Sequence, residues 1–205
     1  MNGSIRSRRA ALAALALATS AGLLLPGTSA EAGQPTAVTL TPEPPDFYSC
    51  TVNGAGTRCT AETRDAYGPE PTGIFCGSFE VLDQAVHVSV AERWYDRDGN
   101  LVKRRRVNSF EDAAFSSPEG TRVAYTQRDI DTDVFTIPGD ITLGTTYSNS
   151  SLRATVPGLG AVVVDKGRVV WGDEGLEKEA GRHELLDYFL GDPSSLDSLC
   201  AALGA

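Results

Sequence analysis

The chain has 205 residues, with 18 Lys or Arg against 27 Asp or Glu, and its net charge is −9. An acidic protein is repelled by phosphate backbones and anionic lipid headgroups, which argues against nucleic acid as a partner. The length is sufficient for one domain with its own hydrophobic core.

Residues 1–32 have the layout of a secretory signal peptide. Three arginines within residues 6–9 precede an Ala/Leu-rich run over residues 10–25, and small residues allow cleavage after Ala30 or Ala32. The run is shorter than the roughly 20 residues that a spanning helix needs. The sequence therefore predicts secretion, with no membrane span after cleavage. The paired Arg8 and Arg9 leave both the general and the twin-arginine export routes open.

Cleavage leaves a more acidic mature chain. Loss of the three arginines leaves 15 basic and 27 acidic residues, a net charge of −12 if cleavage follows Ala30. Residues 33–49 contain four prolines and few bulky apolar side chains. Such a segment has little to bury, so we predict a flexible Pro-rich linker there and a single disulfide-bonded β domain over residues 50–205.

From Phe79 to Trp171, short runs rich in Val, Ile, Thr, Tyr and Trp alternate with turn signals. No helical repeat separates them, so consecutive strands should pair antiparallel through hairpins. The predicted fold is all-β: an antiparallel meander of eight to ten strands, curled into a barrel or half-barrel, with a short C-terminal α-helix. The predicted runs are 86–95, 101–108, 110–115, 121–127, 132–137, 141–147, 152–156, 161–165 and 168–171.

The predicted helix begins with Asp192 as N-cap and Pro193 in its first turn, and it ends at Gly204. One apolar stripe follows at helical spacing: Leu196, Leu199, Cys200 and Leu203. Cys200 lies on the face that should pack against the sheet.

Four cysteines in an exported chain indicate two disulfides, with three possible pairings. We favour Cys50–Cys59, because the intervening Asn53-Gly54-Ala55-Gly56 is suited to a turn. Cys76 then pairs with Cys200, which ties the start of the main domain to its last helix.

Five short segments resemble those of small secreted actinobacterial proteins of unknown function. The resemblance covers about Cys76 to Leu203 and implies a β-rich exported domain closed by a Cys–Cys tie, without an activity. The segments are Cys76-Gly77-Ser78-Phe79, Tyr95-Asp96-Arg97-Asp98-Gly99-Asn100, Val156-Pro157-Gly158-Leu159-Gly160, Lys166-Gly167-Arg168-Val169-Val170 and Leu199-Cys200-Ala201-Ala202-Leu203.

The candidate ligand-binding residues are Glu92, Trp94, Arg104 and Arg106. Alternate residues of a strand share a face, so Glu92 and Trp94 lie in one row with three valines: Val86, Val88 and Val90. In a barrel this row is predicted to face inward, where Glu92 must be paired. If Tyr95 lies opposite Leu101, Glu92 faces Arg104 and Val90 faces Arg106. If the loop has two residues, Glu92 faces Arg105 instead. The pair is either a structural salt bridge or a polar anchor at which Arg recognises an anionic ligand group.

Two motifs resemble metal sites but are interpreted otherwise. Asp96-x-Asp98-Gly99-Asn100 has some spacing of a calcium loop, yet strands flank it and Asp-Gly is typical of a hairpin turn. His183-Glu184-x-x-Asp187 has Asp where a zinc protease has its second His, and we interpret it as a surface segment. We predict no metal and no cofactor.

No nucleophile elbow and no glycine-rich phosphate loop occur in the chain. The predicted function is therefore a secreted, non-enzymatic binding or envelope-interaction module. The alternative is an extracytoplasmic enzyme that uses carboxylate or His acid–base residues inside the barrel, since architecture alone does not determine function.

Overall fold

The computed structural model describes residues 38–205. The predicted signal peptide and the first residues of the predicted linker lie outside this range. Eight strands form one antiparallel sheet in which each strand pairs with the next along the chain. The strands are β1 (Ser49–Asn53), β2 (Gly56–Cys76), β3 (Phe79–Tyr95), β4 (Leu101–Ser116), β5 (Arg122–Phe135), β6 (Gly144–Val156), β7 (Gly160–Gly172) and β8 (Gly175–His183).

The predicted antiparallel meander is confirmed, as an open half-barrel with β1 and β8 at its two edges. Several predicted short strands are two halves of one long strand. Residues 110–115 continue β4 after residues 101–108, and residues 161–171 form the single strand β7. Gly167, which separates two of the predicted runs, is thus inside a strand.

Strands β1, β2 and β8 were not among the predicted runs. β2 contains Pro69 and Pro71, which indicate a loop. The structure accommodates them at two register shifts, between Tyr67 and Glu70 and between Pro71 and Phe75. Beyond β1 the outer edge of β2 has no partner strand in the described part, so a missing proline N–H breaks no ladder there.

One face of the sheet, here called the inner face, carries both hydrophobic clusters. The larger cluster includes Val81, Phe115, Val123 and Val163 and is covered by the C-terminal helices. The smaller cluster, at the other end of the strands, consists of Cys59, Tyr95, Leu101 and Phe135. The opposite face is called the outer face.

The C-terminal cover has three short helices: α1 (Glu184–Phe189), a 3₁₀ helix (Pro193–Leu196) and α2 (Asp197–Leu203). Asp192 caps the 3₁₀ helix by accepting the Ser194 N–H, and Gly204 ends α2 in the left-handed conformation, as predicted. Helix α1 was not predicted. Among the described residues, no helix has the length and apolar character to cross a membrane.

Both predicted disulfides are present, Cys50–Cys59 and Cys76–Cys200. The first joins paired positions of β1 and β2. The second fastens α2 to the end of β2, beside Leu196, Leu199 and Leu203, which are almost fully buried.

The second half of the predicted flexible linker is packed on the sheet. Thr41 exchanges backbone hydrogen bonds of 2.8 Å with Gly99 and Leu101. Leu40 and Tyr48 pack against the smaller cluster, and the Tyr95 hydroxyl donates to the Pro42 carbonyl at 2.9 Å. Two apolar side chains, Leu40 and Tyr48, together with these hydrogen bonds anchor the segment.

Candidate functional site

Between the two hydrophobic clusters, the inner face is polar across β3 to β8. Strand alternation turns every second residue of β5, between Tyr125 and Phe135, toward this face. Register places side chains of the neighbouring strands beside them. The resulting polar strip consists of His87, Ser89, Arg93, Arg104, Arg106, Asn108, Gln127, Asp129, Asp131, Asp133, Thr146, Ser148, Ser150, Asp165 and His183.

The middle of the polar strip is an ion-pair and hydroxyl network. The Arg104 Nε donates to Asp133 at 2.6 Å, and the Thr146 hydroxyl donates to the other oxygen of Asp133 at 2.8 Å. The Ser148 hydroxyl donates to Asp131 at 2.7 Å. The Arg106 guanidinium lies 3.8 Å from both carboxylates. The three strands β4 to β6 thus present charged and hydroxyl groups on a single surface.

Asp129 is the carboxylate of the polar strip with the fewest hydrogen-bond partners among the described residues. The Gln127 amide donates to its Oδ2 at 2.6 Å, whereas its Oδ1 is buried and has no hydrogen-bond partner among the described residues. Burial raises the pKa of Asp129 to about 6, against the Gln127 hydrogen bond and with a contribution from the nearby Asp131 and Asp165 carboxylates. At pH 7 Asp129 is mainly ionised, and holding this charge in the folded chain costs free energy relative to the unfolded chain.

We therefore expect Asp129→Asn to stabilise the protein at pH 7.5. The pKa of Asp129 is higher in the folded than in the unfolded chain, so its ionisation costs stability progressively as pH rises from about 4 to about 6. Allowing for screening of the accessible part, the gain should be about 1–2 kcal/mol at pH 7.5 and should vanish near pH 4. Urea unfolding at both pH values measures it.

The control is Asp98→Asn, which removes one negative charge from the exposed turn between β3 and β4. It reports the effect of net charge alone. If the two variants change stability equally at both pH values, burial of the Asp129 carboxyl is not the cause.

At the β7–β8 end of the strip, His183 is 2% exposed and its Nδ1 lies 3.1 Å from Asp165 Oδ1. The Ser150 hydroxyl donates to the same oxygen at 2.7 Å. The sequence interpretation of His183 as a surface residue was wrong. The ring fits because Gly167 lies beneath it: a Cβ at Gly167 would lie 2.2 Å from the Ala180 carbonyl and 2.5 Å from His183 Nε2.

Two cavities open on the polar strip and share one wall, Trp171. The first, of about 220 Å³, lies at the Arg104 and Asp133 end. The second, of about 260 Å³, lies at the Asp129 and Asp131 end. The second also has an apolar side, formed by Leu152, Val169, Leu185 and Leu186.

Glu92 and Trp94 lie on the outer face, so the prediction that their row faces inward was wrong. Val90 in the same row is 42% exposed. Glu92 is paired there with Arg58 and with Arg105. Although partial burial opposes ionisation, the hydrogen bonds from these two arginines hold the pKa of Glu92 below its ordinary value.

Trp94 is flanked on the outer face by two cations, with the Arg58 guanidinium 5.8 Å and the Lys103 amine 5.0 Å from its ring centre. Of the predicted site residues, Arg104 and Arg106 alone lie on the inner face, and their acid partners come from β5. The structure therefore separates the four residues into two pairs on opposite faces.

A register shift explains the partner of Glu92. Tyr95 is opposite Leu101, as one predicted register required, yet Trp94 is opposite Lys103 and Glu92 is opposite Arg105. Val102 is the extra residue of this bulge. A bulge moves the following residues by one position and so exchanges the faces of the arginines.

The Asp96–Asn100 segment forms the predicted hairpin turn between β3 and β4. The Asp96 carboxylate accepts the Asp98 N–H at 3.0 Å and the Asn100 N–H at 2.8 Å. Within residues 38–205, no group of three or more His, Cys, Asp and Glu side chains could hold a metal ion.

No family model, no curated protein and no solved structure matches this chain. The resemblance to secreted actinobacterial proteins stays a prediction. The site residues that the sequence interpretation missed do leave a signal: Gln127, Asp129, Asp131 and Asp133 alternate along β5 between two aromatic residues that are buried.

Proposed function

We propose that this is an exported, non-enzymatic binding module that holds a polar ligand on the polar strip. The observation that carries the proposal is the pair of cavities that meet at Trp171 on the strip. Ligand sites are typically concave, with an apolar wall and a few placed polar groups. Two disulfides support export, because such bonds persist in oxidising compartments.

Unsatisfied polar atoms support binding over a purely structural role for the strip. Among the described residues, the buried side-chain polar atoms without a hydrogen-bond partner are Arg93 Nε, Arg106 Nε and Asp129 Oδ1. All three belong to the polar strip. Buried polar networks that serve only stability are usually fully satisfied, so unsatisfied atoms on one face of the sheet indicate another role. Of the three residues, Asp129 lines the second cavity.

An acid–base enzyme is the second candidate, favoured by the pKa of about 6 at Asp129. A general acid must bring its proton within hydrogen-bond reach of the substrate. Here one oxygen of Asp129 is sealed from solvent and the other accepts from Gln127. Because this arrangement leaves Asp129 poorly placed to transfer a proton to a substrate, it favours a binding role over catalysis.

The test is native mass spectrometry of the protein purified from its natural host. We expect a co-purifying small molecule on the wild-type protein and its loss from Trp171→Ala, with Trp94→Ala as a control on the outer face. A ligand-free wild-type protein, or a ligand retained by Trp171→Ala, would contradict the proposal. Chemical change of the bound molecule during incubation, abolished by Asp129→Asn, would favour the enzyme.

A further inference from the structure

We infer that the ligand is a neutral oligosaccharide of two or more sugar units that spans both cavities across Trp171. This inference rests on the proposed function and specifies its ligand. It is drawn from the size of the cavities, their shared wall and the hydrogen-bonding state of the groups around them.

Size and spacing fit two linked units. At about 30 Å³ per water, the cavities hold about seven and about nine waters, which suits one monosaccharide each. Asp133 lines the first cavity and Asp131 the second, and they are neighbouring inward residues of β5. Such residues are about 7 Å apart, so one short chain of sugars can reach both cavities.

The shared wall suits a sugar that passes from one cavity to the other. Trp171 lies opposite Thr146 in the sheet register, on the inner face. An indole ring offers a flat apolar surface together with one N–H donor. The C–H face of a sugar ring packs on such a surface while its hydroxyl groups stay free to bond with the polar lining.

The polar lining is rich in hydroxyl and amide groups, which both donate and accept. On the inner face, those that line the two cavities are Gln127, Thr146, Ser148 and Ser150, and Thr142 adds a hydroxyl from the loop before β6. These five side chains already donate to carboxylates of the protein, so their oxygen atoms are the groups left for a ligand. Sugar hydroxyls can donate to these oxygens.

The charges of the lining select against acidic sugars. Five carboxylates and one arginine side chain line the two cavities together. Each carboxylate already accepts a hydrogen bond from the protein: Asp129 from Gln127, Asp131 from Ser148, Asp133 from Arg104, Asp165 from Ser150 and Asp173 from the Gly144 N–H. The remaining lone pairs of Asp131, Asp133, Asp165 and Asp173 can accept from neutral hydroxyls, whereas a carboxylate or sulfate on the ligand would be repelled.

The experiment starts with the full secreted protein on an array of neutral and acidic mono- to hexasaccharides. Each bound glycan is then titrated in solution by fluorescence. The chain has two tryptophans, so Trp94→Phe leaves Trp171 as the single indole reporter. We expect binding of neutral glycans with two or more units, a shift in Trp171 emission, and at least about tenfold weaker binding of the matching monosaccharide.

Variants separate a direct contact from a folding defect. Trp171→Ala should weaken binding at least about tenfold. Thr142→Ala, at an exposed loop position of the first cavity, should also weaken it without loss of thermal stability. Trp94→Ala on the outer face should leave binding unchanged.

Equal affinity for mono- and disaccharides would overturn the spanning geometry, and binding of acidic glycans alone would overturn the charge argument. Failure to bind any glycan, with a different small molecule found by native mass spectrometry, would overturn this inference and leave the proposed function intact. Failure of both experiments would overturn both.

Discussion

Replacement of Cys76 and Cys200 by Ala together is expected to destabilise the protein by roughly 4–5 kcal/mol. The disulfide spans 124 residues, and in the chain-entropy model a loop of this length restricts the unfolded chain by that amount. The bond also holds α2 over the larger cluster, where Leu196 and Leu199 are fully buried. Urea unfolding without added reductant or oxidant, which keeps the Cys50–Cys59 bond intact, measures the change in the free energy of unfolding.

The matched control is the double replacement of Cys50 and Cys59. This disulfide spans nine residues within a hairpin whose two strands are already paired. The chain-entropy model gives a smaller loss, roughly 2–3 kcal/mol. If the two double variants lose equal stability, closure of the long loop is not what stabilises the C-terminal helices.

Asp133→Leu alone is expected to cost about 3 kcal/mol, because it leaves the partly buried Arg104 without its partner. Asp133 is 5% exposed and accepts the Arg104 Nε at 2.6 Å. When Arg104→Met is added, most of the loss should be recovered, since apolar pairs of similar volume often replace buried ion pairs without loss of stability. A double-mutant cycle on the free energy of unfolding gives the coupling.

The Arg64–Glu111 pair on the outer face is the control, with the same distance of 2.6 Å but with both side chains at least half exposed. Breaking it should have a much smaller effect, since solvent screens exposed charges. Equal effects for the two pairs, or no recovery in the Asp133→Leu/Arg104→Met variant, would show that the polar strip is held by something other than this ion pair.

The features that the sequence determined are those encoded within a few neighbouring residues. The Asp98-Gly99 hairpin, the Asp192 cap and the Gly204 terminus all depend on local backbone preference and short-range hydrogen bonds. The antiparallel order followed from the absence of crossover helices. The pairing of Cys76 with Cys200 followed from the apolar stripe of the last helix. Because Cys200 lies on this stripe, it was predicted to face the sheet.

The tertiary structure alone decided which face of each strand is the inner face. The valine row of β3 predicted that Glu92 points inward, because apolar residues are usually buried. The C-terminal helices and residues 38–48 instead cover the face that carries Ala85 and Tyr95, and the bulge at Val102 sets which arginines share it. Both faces of this sheet carry apolar and polar residues, so no local sequence pattern shows which face the helices will cover. The polar strip forms because the three aspartates of β5 lie on the covered face, Asp129, Asp131 and Asp133. There they lie beside the inward serines of β6 and Trp171 of β7.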